Sequence, residues 1–180
     1  MKVTKTNLEG CVVIEPTIYE DERGVFFEAY KKESLDEAIG YKVNFVQSNQ
    51  SISKKGTLRG LHFQEGKHAQ AKLVSVVKGK VLDVVVDLRK DSISYGKYFK
   101  IELSEANKKS LFIPKGMAHG FLALKETIFT YQCDNYYNKE AERGILYCDN
   151  KLNIDWNLPV SKMILSLKDK GLPLFSELDL

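Results

Sequence analysis

The sequence has few cysteines, little net charge and no long apolar run. Its three cysteines form an odd set without CxxC spacing, which argues against a disulfide framework and a structural zinc site. With 27 Lys plus Arg against 24 Asp plus Glu, the net charge of +3 gives no case for a nucleic-acid or membrane partner, although a small anionic ligand would fit. No stretch approaches the about 20 apolar residues that span a bilayer, and residues 1–10 contain no apolar signal core. We therefore expect a cytoplasmic protein with reduced thiols.

Short β-rich runs recur along the 180 residues, with no repeat or linker between them, so we expect a single domain over residues 1–180. One early helix is predicted at Ser34 to Ile39, with Ser34 and Glu37 as a capping box and Gly40 as its stop. A hairpin is predicted over Lys72 to Leu88, with Lys78-Gly79 as its turn. Predicted strands cover 12–14, 25–30, 43–47, 57–64, 72–77, 81–88, 98–103, 110–113, 120–124 and 127–133.

This pattern predicts an all-β sandwich or barrel. A double-stranded β-helix (the cupin jelly roll) with short flanking helices is one solution. Composition alone does not separate it from an immunoglobulin-like sandwich.

Two of the three histidines lie in segments that could carry chemistry. On a strand, His62 shares its face with Gln64, and His119 ends a Pro-x-Gly-x-x-His segment shaped like the second motif of metal-binding cupins. Such a metal site also needs a His-x-His pair and a carboxylate in its first motif, and here Gln64 takes the second histidine's place. We therefore favour a metal-independent site with histidines available for proton transfer. A metal-dependent isomerase or oxygenase using His62, His68 and His119 stays the alternative.

Several segments, in this order along the chain, resemble the dTDP-4-dehydrorhamnose 3,5-epimerase family, and the match runs from about Gly10 to Pro173. The segments are Arg59 to Gln64, Lys72 to Val74, Val84 to Ser92, Pro114 to Phe121, Asp134 to Tyr137, Glu142 to Ile145, Asp155-Trp156 and Leu165 to Asp169. The resemblance implies a cupin jelly roll, a homodimer with an exchanged N-terminal strand, a nucleotide-linked 4-keto-6-deoxy sugar as substrate, dTDP-linked, and no cofactor. It also implies epimerisation at C5 and C3 through an enolate. A one-carbon epimerase and a non-catalytic sugar-binding cupin stay open.

The resemblance implies four catalytic residues. His62 matches the base, and Asp169 matches the carboxylate that pairs with it. Lys72 matches the cation that faces the ketone oxygen, and Tyr131 matches the acid on the opposite face of the sugar. Each has a structural alternative: His62 can be a surface histidine on an edge strand, a terminal Asp can be solvated, a lysine at a strand end can reach solvent, and a tyrosine can be a core residue.

The resemblance also implies eight ligand-binding residues. Arg59 matches an arginine that binds the diphosphate, so we expect a bend or bulge near Gly60, because regular alternation would point Arg59 away from His62. The other matches are Gln47 and Asn49 in the pocket, His119 near the sugar, Tyr137 at the pocket wall, and Arg23, Phe26 and Glu28 on the strand that crosses to the partner.

Overall fold

The computed structural model describes residues 1–179, which form two facing antiparallel sheets and a separate hairpin. The strands are β1 (Lys2–Lys5), β2 (Val12–Glu15), β3 (Ile18–Asp21), β4 (Gly24–Phe27), β5 (Gln47–Ser53), β6 (Leu58–Gln64), β7 (Lys72–Lys78), β8 (Lys80–Asp87), β9 (Tyr98–Ser104), β10 (Ser110–Ile113), β11 (Met117–Ala123), β12 (Thr127–Cys133) and β13 (Glu142–Gly144). The strand order is β1-β2-β10-β7-β12-β5 in the six-stranded sheet and β13-β6-β11-β8-β9 in the five-stranded sheet, while β3 pairs with β4. This is the predicted all-β jelly roll.

The main core lies between the two sheets. Val74 and Phe129 of the six-stranded sheet pack there with Val85 and Phe121 of the five-stranded sheet. Strand β8 is buried on both faces because a second cluster covers the outer side of its sheet, where Val84 packs with residues of the C-terminal segment. The inner face of the five-stranded sheet is thus covered by the six-stranded sheet, and its outer face is covered by the part of the chain after β13.

The C-terminal segment returns to the opening of the jelly roll. The backbone N–H of Leu58 donates to the carbonyl of Ile164 at 2.9 Å, which anchors the segment beside β6. A short helix, α2 (Leu167–Lys170), comes next, and Ser166 caps it by accepting a hydrogen bond from the Asp169 N–H at 3.0 Å. This route brings Asp169 to strand β6 although the two are far apart in sequence.

The predicted hairpin over Lys72–Leu88 is wrong. Strand β7 pairs with β10 and β12, whereas β8 pairs with β11 and β9, so the chain crosses from one sheet to the other. Gly79 has a φ of +87°, and a Cβ there would lie 2.1 Å from the carbonyl oxygen of Glu126. Two apolar runs around a tight glycine turn look alike in sequence whether the chain folds back or changes sheets.

The predicted helix start is also wrong. The helix α1 spans Lys32–Ile39, and its N-cap residue, Lys31, makes no side-chain capping bond, so Ser34 forms no capping box. An ion pair between Lys32 and Asp36, at 2.7 Å, supports the first turn instead. The stop at Gly40, with a φ of +83°, is confirmed.

The predicted strand over 43–47 is wrong as well. The polar segment Gln47–Ser53 forms β5 along its whole length by pairing with β12. Strand propensity does not reveal it, because tertiary pairing determines its conformation. Strands β1, β3 and β13 are absent from the predicted set for the same reason. Among residues 1–179, no helix is long and apolar enough to cross a membrane.

The buried carboxylate of Asp87 stabilises the loop after β8. It accepts hydrogen bonds from Arg89 at 2.7 Å, Ser92 at 2.7 Å and Ser94 at 2.5 Å. Burial opposes ionisation of Asp87, but these hydrogen bonds outweigh it and lower its pKa to about 2. The ionised carboxylate is therefore part of the folded structure.

We expect Asp87→Asn to lower the free energy of unfolding by about 2 kcal/mol at neutral pH. Because the folded-state pKa lies below the unfolded value, this stabilisation is complete above the unfolded pKa and is lost as pH falls through about 2. Urea unfolding of both proteins near neutral pH and at about pH 2 measures the difference. An equal difference at both pH values would contradict the assignment.

Candidate active site

A cleft with two lobes opens between the sheets, and His62, Lys72 and Tyr131 line both lobes. The first lobe, of about 300 Å³, is also lined by Gln47, Asn49, Phe63, Gln64, Gln70, Tyr137 and Glu142. The second lobe, of about 290 Å³, is also lined by Ser51, Arg59, His119, Gly120, Phe121, Phe129, Ser166, Lys168 and Asp169. The structure thus brings together nine of the twelve site residues predicted from the sequence.

His62 and Asp169 form a hydrogen-bonded pair, with 2.6 Å between Nε2 and Oδ1. Burial opposes ionisation of Asp169, but hydrogen bonds from His62, Ser166 and the Gly60 backbone outweigh it and lower its pKa below the usual value. An ionised acceptor places a proton on Nε2, so Nδ1 of the neutral ring carries the free lone pair. Asp169 is only 4% exposed, so the alternative of a solvated tail residue is wrong.

Lys72 is buried at the start of β7, on the interior face that it shares with Val74. Burial lowers the pKa of its ammonium group, while the charges of Asp83 and Glu142 act in the opposite direction. Its Nζ makes no hydrogen bond or ion pair with any residue from 1 to 179. Lys72 is therefore largely buried, and its Nζ is available to a ligand in the cleft.

Tyr131 is on β12, with its ring tilted against Phe129 at 6.2 Å between centroids. Within the described part of the chain its hydroxyl group has no hydrogen-bond partner. Burial raises the pKa of this phenol, which keeps it protonated. The ring is thus a core contact, as the structural alternative required, while the residue also lines both lobes of the cleft.

His119 is the cross-strand partner of His62 in the pairing of β11 with β6. Its Nε2 lies 2.9 Å from Oδ2 of Asp83, a residue of β8 with no exposed surface. The ring also stacks on Phe129 at 6.0 Å. Asp83 was not among the predicted site residues; its charge inside the apolar run of β8 marks the position as unusual but does not indicate its partner.

Arg59 lines the same lobe as His62, which regular alternation would not allow. The pairing of β6 with β11 shifts register between His119 and Phe121, and Gly60 has a φ of +118°. A Cβ on Gly60 would lie 2.6 Å from the Cα atom of Gly120, so only glycine allows this close approach. The predicted irregularity near Gly60 is confirmed.

A chain of polar contacts forms the wall of the first lobe. Gln47 donates to Asn49 at 2.9 Å and accepts from the Tyr137 N–H at 3.0 Å. The Tyr137 hydroxyl group donates to Glu142 at 2.8 Å, and Glu142 also pairs with Lys168. Glu142 and Lys168 were not predicted as site residues, although both lie inside segments that carry the family resemblance.

Arg23, Phe26 and Glu28 are not brought into this cleft. Arg23 pairs with Asp21 at 2.6 Å within the β3–β4 hairpin, and the Phe26 ring is 67% exposed. Glu28 comes directly after β4 and is exposed. Within one chain, these three residues lie exposed on or directly beside the β3–β4 hairpin.

The three histidines that a metal-dependent enzyme would use, His62, His68 and His119, do not line one common site. His68 ends a single 3-10 turn after β6 and lines neither lobe. Over residues 1–179, no three His, Cys, Asp or Glu side chains are grouped as metal ligands. Each cleft histidine has a carboxylate as its partner instead.

The fold and the cleft together define a jelly-roll enzyme of the proton-transfer type, with an oriented imidazole, a buried cation and a phenol around one ligand space. The family model described as dTDP-4-dehydrorhamnose 3,5-epimerase matches residues 5–177. The chain belongs to this family of isomerases.

Individual relatives agree with the family match. The dTDP-4-dehydrorhamnose 3,5-epimerase of Shigella flexneri is 48% identical over 94% of this chain and 93% of its own length. The crystal structure of that enzyme from Elizabethkingia anophelis is 51% identical, with a TM-score of 0.95 over 98% of this chain and 97% of that one. The dTDP-6-deoxy-D-glucose-3,5-epimerase of Legionella pneumophila, solved with dTDP-4-keto-L-rhamnose, is 43% identical, with a TM-score of 0.94 over 99% and 94%.

Proposed function

We propose that the chain catalyses epimerisation at C3 and C5 of dTDP-4-dehydro-6-deoxy-D-glucose to give dTDP-4-dehydro-L-rhamnose, without a cofactor. The observation that carries this proposal is the cleft in which the His62–Asp169 pair, Lys72 and Tyr131 surround one space. Family membership supports it, and so does the Legionella relative, whose structure holds dTDP-4-keto-L-rhamnose.

His62 is the base in this proposal. Its Nδ1 takes the proton from the carbon beside the C4 ketone, and the resulting imidazolium is stabilised by Asp169 through the 2.6 Å hydrogen bond. The capped helix α2 holds that carboxylate in place. An oriented base of this kind contributes about 10² to 10⁴ in rate.

Lys72 stabilises the enolate in this proposal. Removal of a proton from C3 or C5 places negative charge on the same C4 oxygen, so one cation serves both epimerisations. A buried ammonium group without a protein partner is suited to this task, because an approaching enolate oxygen meets a charge that water screens only weakly.

Tyr131 returns the proton in this proposal. Inversion requires that the new proton arrive on the face opposite the base, and Tyr131 belongs to the six-stranded sheet whereas His62 belongs to the five-stranded sheet. The raised pKa of the phenol keeps its proton available at neutral pH. In the same proposal, Arg59 binds the diphosphate, and Gln47, Asn49, Tyr137 and His119 hold the rest of the ligand.

Product analysis tests the proposed reaction. The purified protein is incubated with dTDP-4-dehydro-6-deoxyglucose, the ketone is reduced with borohydride, and the released sugars are identified. We expect rhamnose and its C4 epimer, which require inversion at both carbons. Sugars inverted at C3 alone or C5 alone would identify a one-carbon epimerase, and unchanged starting stereochemistry would contradict epimerisation.

We also propose a homodimer in which the β3–β4 hairpin of one protomer supplies Arg23, Phe26 and Glu28 to the partner's cleft. The hairpin is stabilised by few contacts within its own chain and exposes Ile18, Tyr19, Val25 and Phe26. Strand β5, which lines the first lobe, is the unpaired edge of its sheet. Exposed apolar surface beside an open edge is typical of an interface between chains.

Mixing two defective variants tests this exchange. Arg23→Ala and His62→Asn homodimers are both expected to have low activity. After subunit exchange at equal concentrations, the heterodimers contain one complete cleft, so activity should rise to about a quarter of the wild-type value. No recovery, with native mass spectrometry of one mass-tagged variant confirming mixed dimers, would contradict the shared site.

We further propose that the chain acts as a single cupin-like domain in the cytoplasm, without a nucleic-acid or membrane partner. The match over residues 5–177 supports one domain. Cys11, Cys133 and Cys148 are all free thiols, which suits a reducing compartment.

A further inference from the structure

We propose that Asp83 is a positioning residue of the active site: it holds His119 towards the sugar. This inference rests on the proposed epimerisation. The two histidines are cross-strand partners, and each has a carboxylate within hydrogen-bond distance of its Nε2. Asp169 is the partner of His62, and Asp83 is the partner of His119.

The position of Asp83 in the fold supports this role. It lies in the middle of β8 with no exposed surface, on the inward side of the strand with Val81 and Val85. A carboxylate in such a place is unfavourable for stability unless its oxygens are paired. Folding alone would favour an apolar residue there.

The incomplete pairing of Asp83 supports it independently. Oδ2 lies 2.9 Å from His119 Nε2, whereas Oδ1 is buried and has no hydrogen-bond partner among residues 1–179. Burial raises the pKa of Asp83, while the adjacent His119 and Lys72 favour its ionised form. The one hydrogen bond that orients this carboxylate therefore comes from His119, which lines the second lobe, and not from the surrounding core.

Asp87, four residues along the same strand, shows the contrast. It is equally buried, but Arg89, Ser92 and Ser94 saturate its oxygens, and none of these residues lines the cleft. Strand β8 therefore carries two buried carboxylates. Both oxygens of Asp87 are hydrogen-bonded, whereas Asp83, next to the cleft, has one oxygen without a partner among the described residues. Buried groups that are left partly unsatisfied are concentrated at functional sites.

The consequence for His119 concerns its tautomer and orientation. With Nε2–H donated to Asp83, Nδ1 has no bond to any described residue and is left for a sugar oxygen. The ring is held between this hydrogen bond and the face of Phe129. Without the carboxylate, the ring could turn or change tautomer and lose its bond to the sugar.

The matched pair Asp83→Asn and Asp87→Asn tests the proposal, because each removes one buried charge from β8 at constant size. For Asp83→Asn we expect kcat to fall about 10- to 100-fold with KM nearly unchanged and the melting temperature equal or higher. For Asp87→Asn we expect a lower melting temperature with kcat retained in the folded protein. A combined Asp83→Asn, His119→Gln variant should lose no more activity than His119→Gln alone, because the two residues act as one unit.

The tautomer of His119 gives a readout that needs no substrate. In ¹H–¹⁵N NMR spectra, wild-type His119 should be protonated at Nε2, and Asp83→Asn should change its ring signals while those of His62 stay unchanged. If the wild type fails to epimerise any substrate, the proposed function fails, and the spectra still decide whether Asp83 sets this tautomer. Unchanged His119 signals, or a wild-type kcat in Asp83→Asn, would overturn the proposal.

Discussion

His62→Asn is expected to lower kcat by about 10² to 10⁴ while the protein stays folded and binds dTDP as the wild type does. The reason is that Asn has no basic nitrogen to place where Nδ1 lies, although its amide can still donate to Asp169. Rates are measured by monitoring substrate and product with proton NMR, and dTDP affinity by calorimetry.

His68→Asn is the matched control for this variant, because His68 is on the same part of the chain but lines neither lobe of the cleft. Its activity should be that of the wild type. If both variants kept full activity, His62 would not be the base; if both lost it equally, the loss would reflect folding and not chemistry.

Lys72→Met is expected to move activity and stability in opposite directions. Loss of the cation removes the group that meets the enolate oxygen, so kcat should fall by about 10² to 10³. The same change removes a buried charge that has no partner among the described residues and leaves an apolar chain of similar length beside Val74, so the free energy of unfolding should rise.

Lys78→Met is the control for Lys72→Met, since Lys78 ends the same strand and is exposed. Neither its activity nor its stability should change by much. Steady-state rates and urea unfolding are measured on the same preparations. A Lys72→Met protein with wild-type kcat, or one that is less stable than the wild type, would contradict the role of Lys72.

Local patterns were sufficient for most of the fold. Alternating and β-branched residues predicted most of the long strands, and glycine marked the end of α1 at Gly40 and the sharp turn at Gly79. The partner of the strand after a turn is set by sheet pairing, which depends on contacts distant in sequence. For that reason local patterns predict a hairpin at Gly79, where the chain crosses between sheets, and do not reveal the polar strand β5.

The site was predictable to a different extent at each position. Alternation placed Lys72 on the same side as Val74, and the exceptional position of Arg59 could be inferred from the glycine beside it. The His62–Asp169 pair joins residues that are 107 positions apart, so no local pattern could reveal it and only the family resemblance did. Asp83 could not be assigned in this way, because a single acidic residue in an apolar strand does not indicate its partner.

The most direct test of the proposed mechanism is deuterium incorporation from D₂O into dTDP-4-dehydro-6-deoxyglucose, monitored by NMR with wild-type protein and His62→Asn. We predict that the wild type places deuterium at both C3 and C5, since each carbon is deprotonated beside the same ketone, and that His62→Asn places it at neither. Wild-type exchange at neither carbon, or equal exchange in the variant, would contradict the central claim that His62 is the base for epimerisation at both carbons.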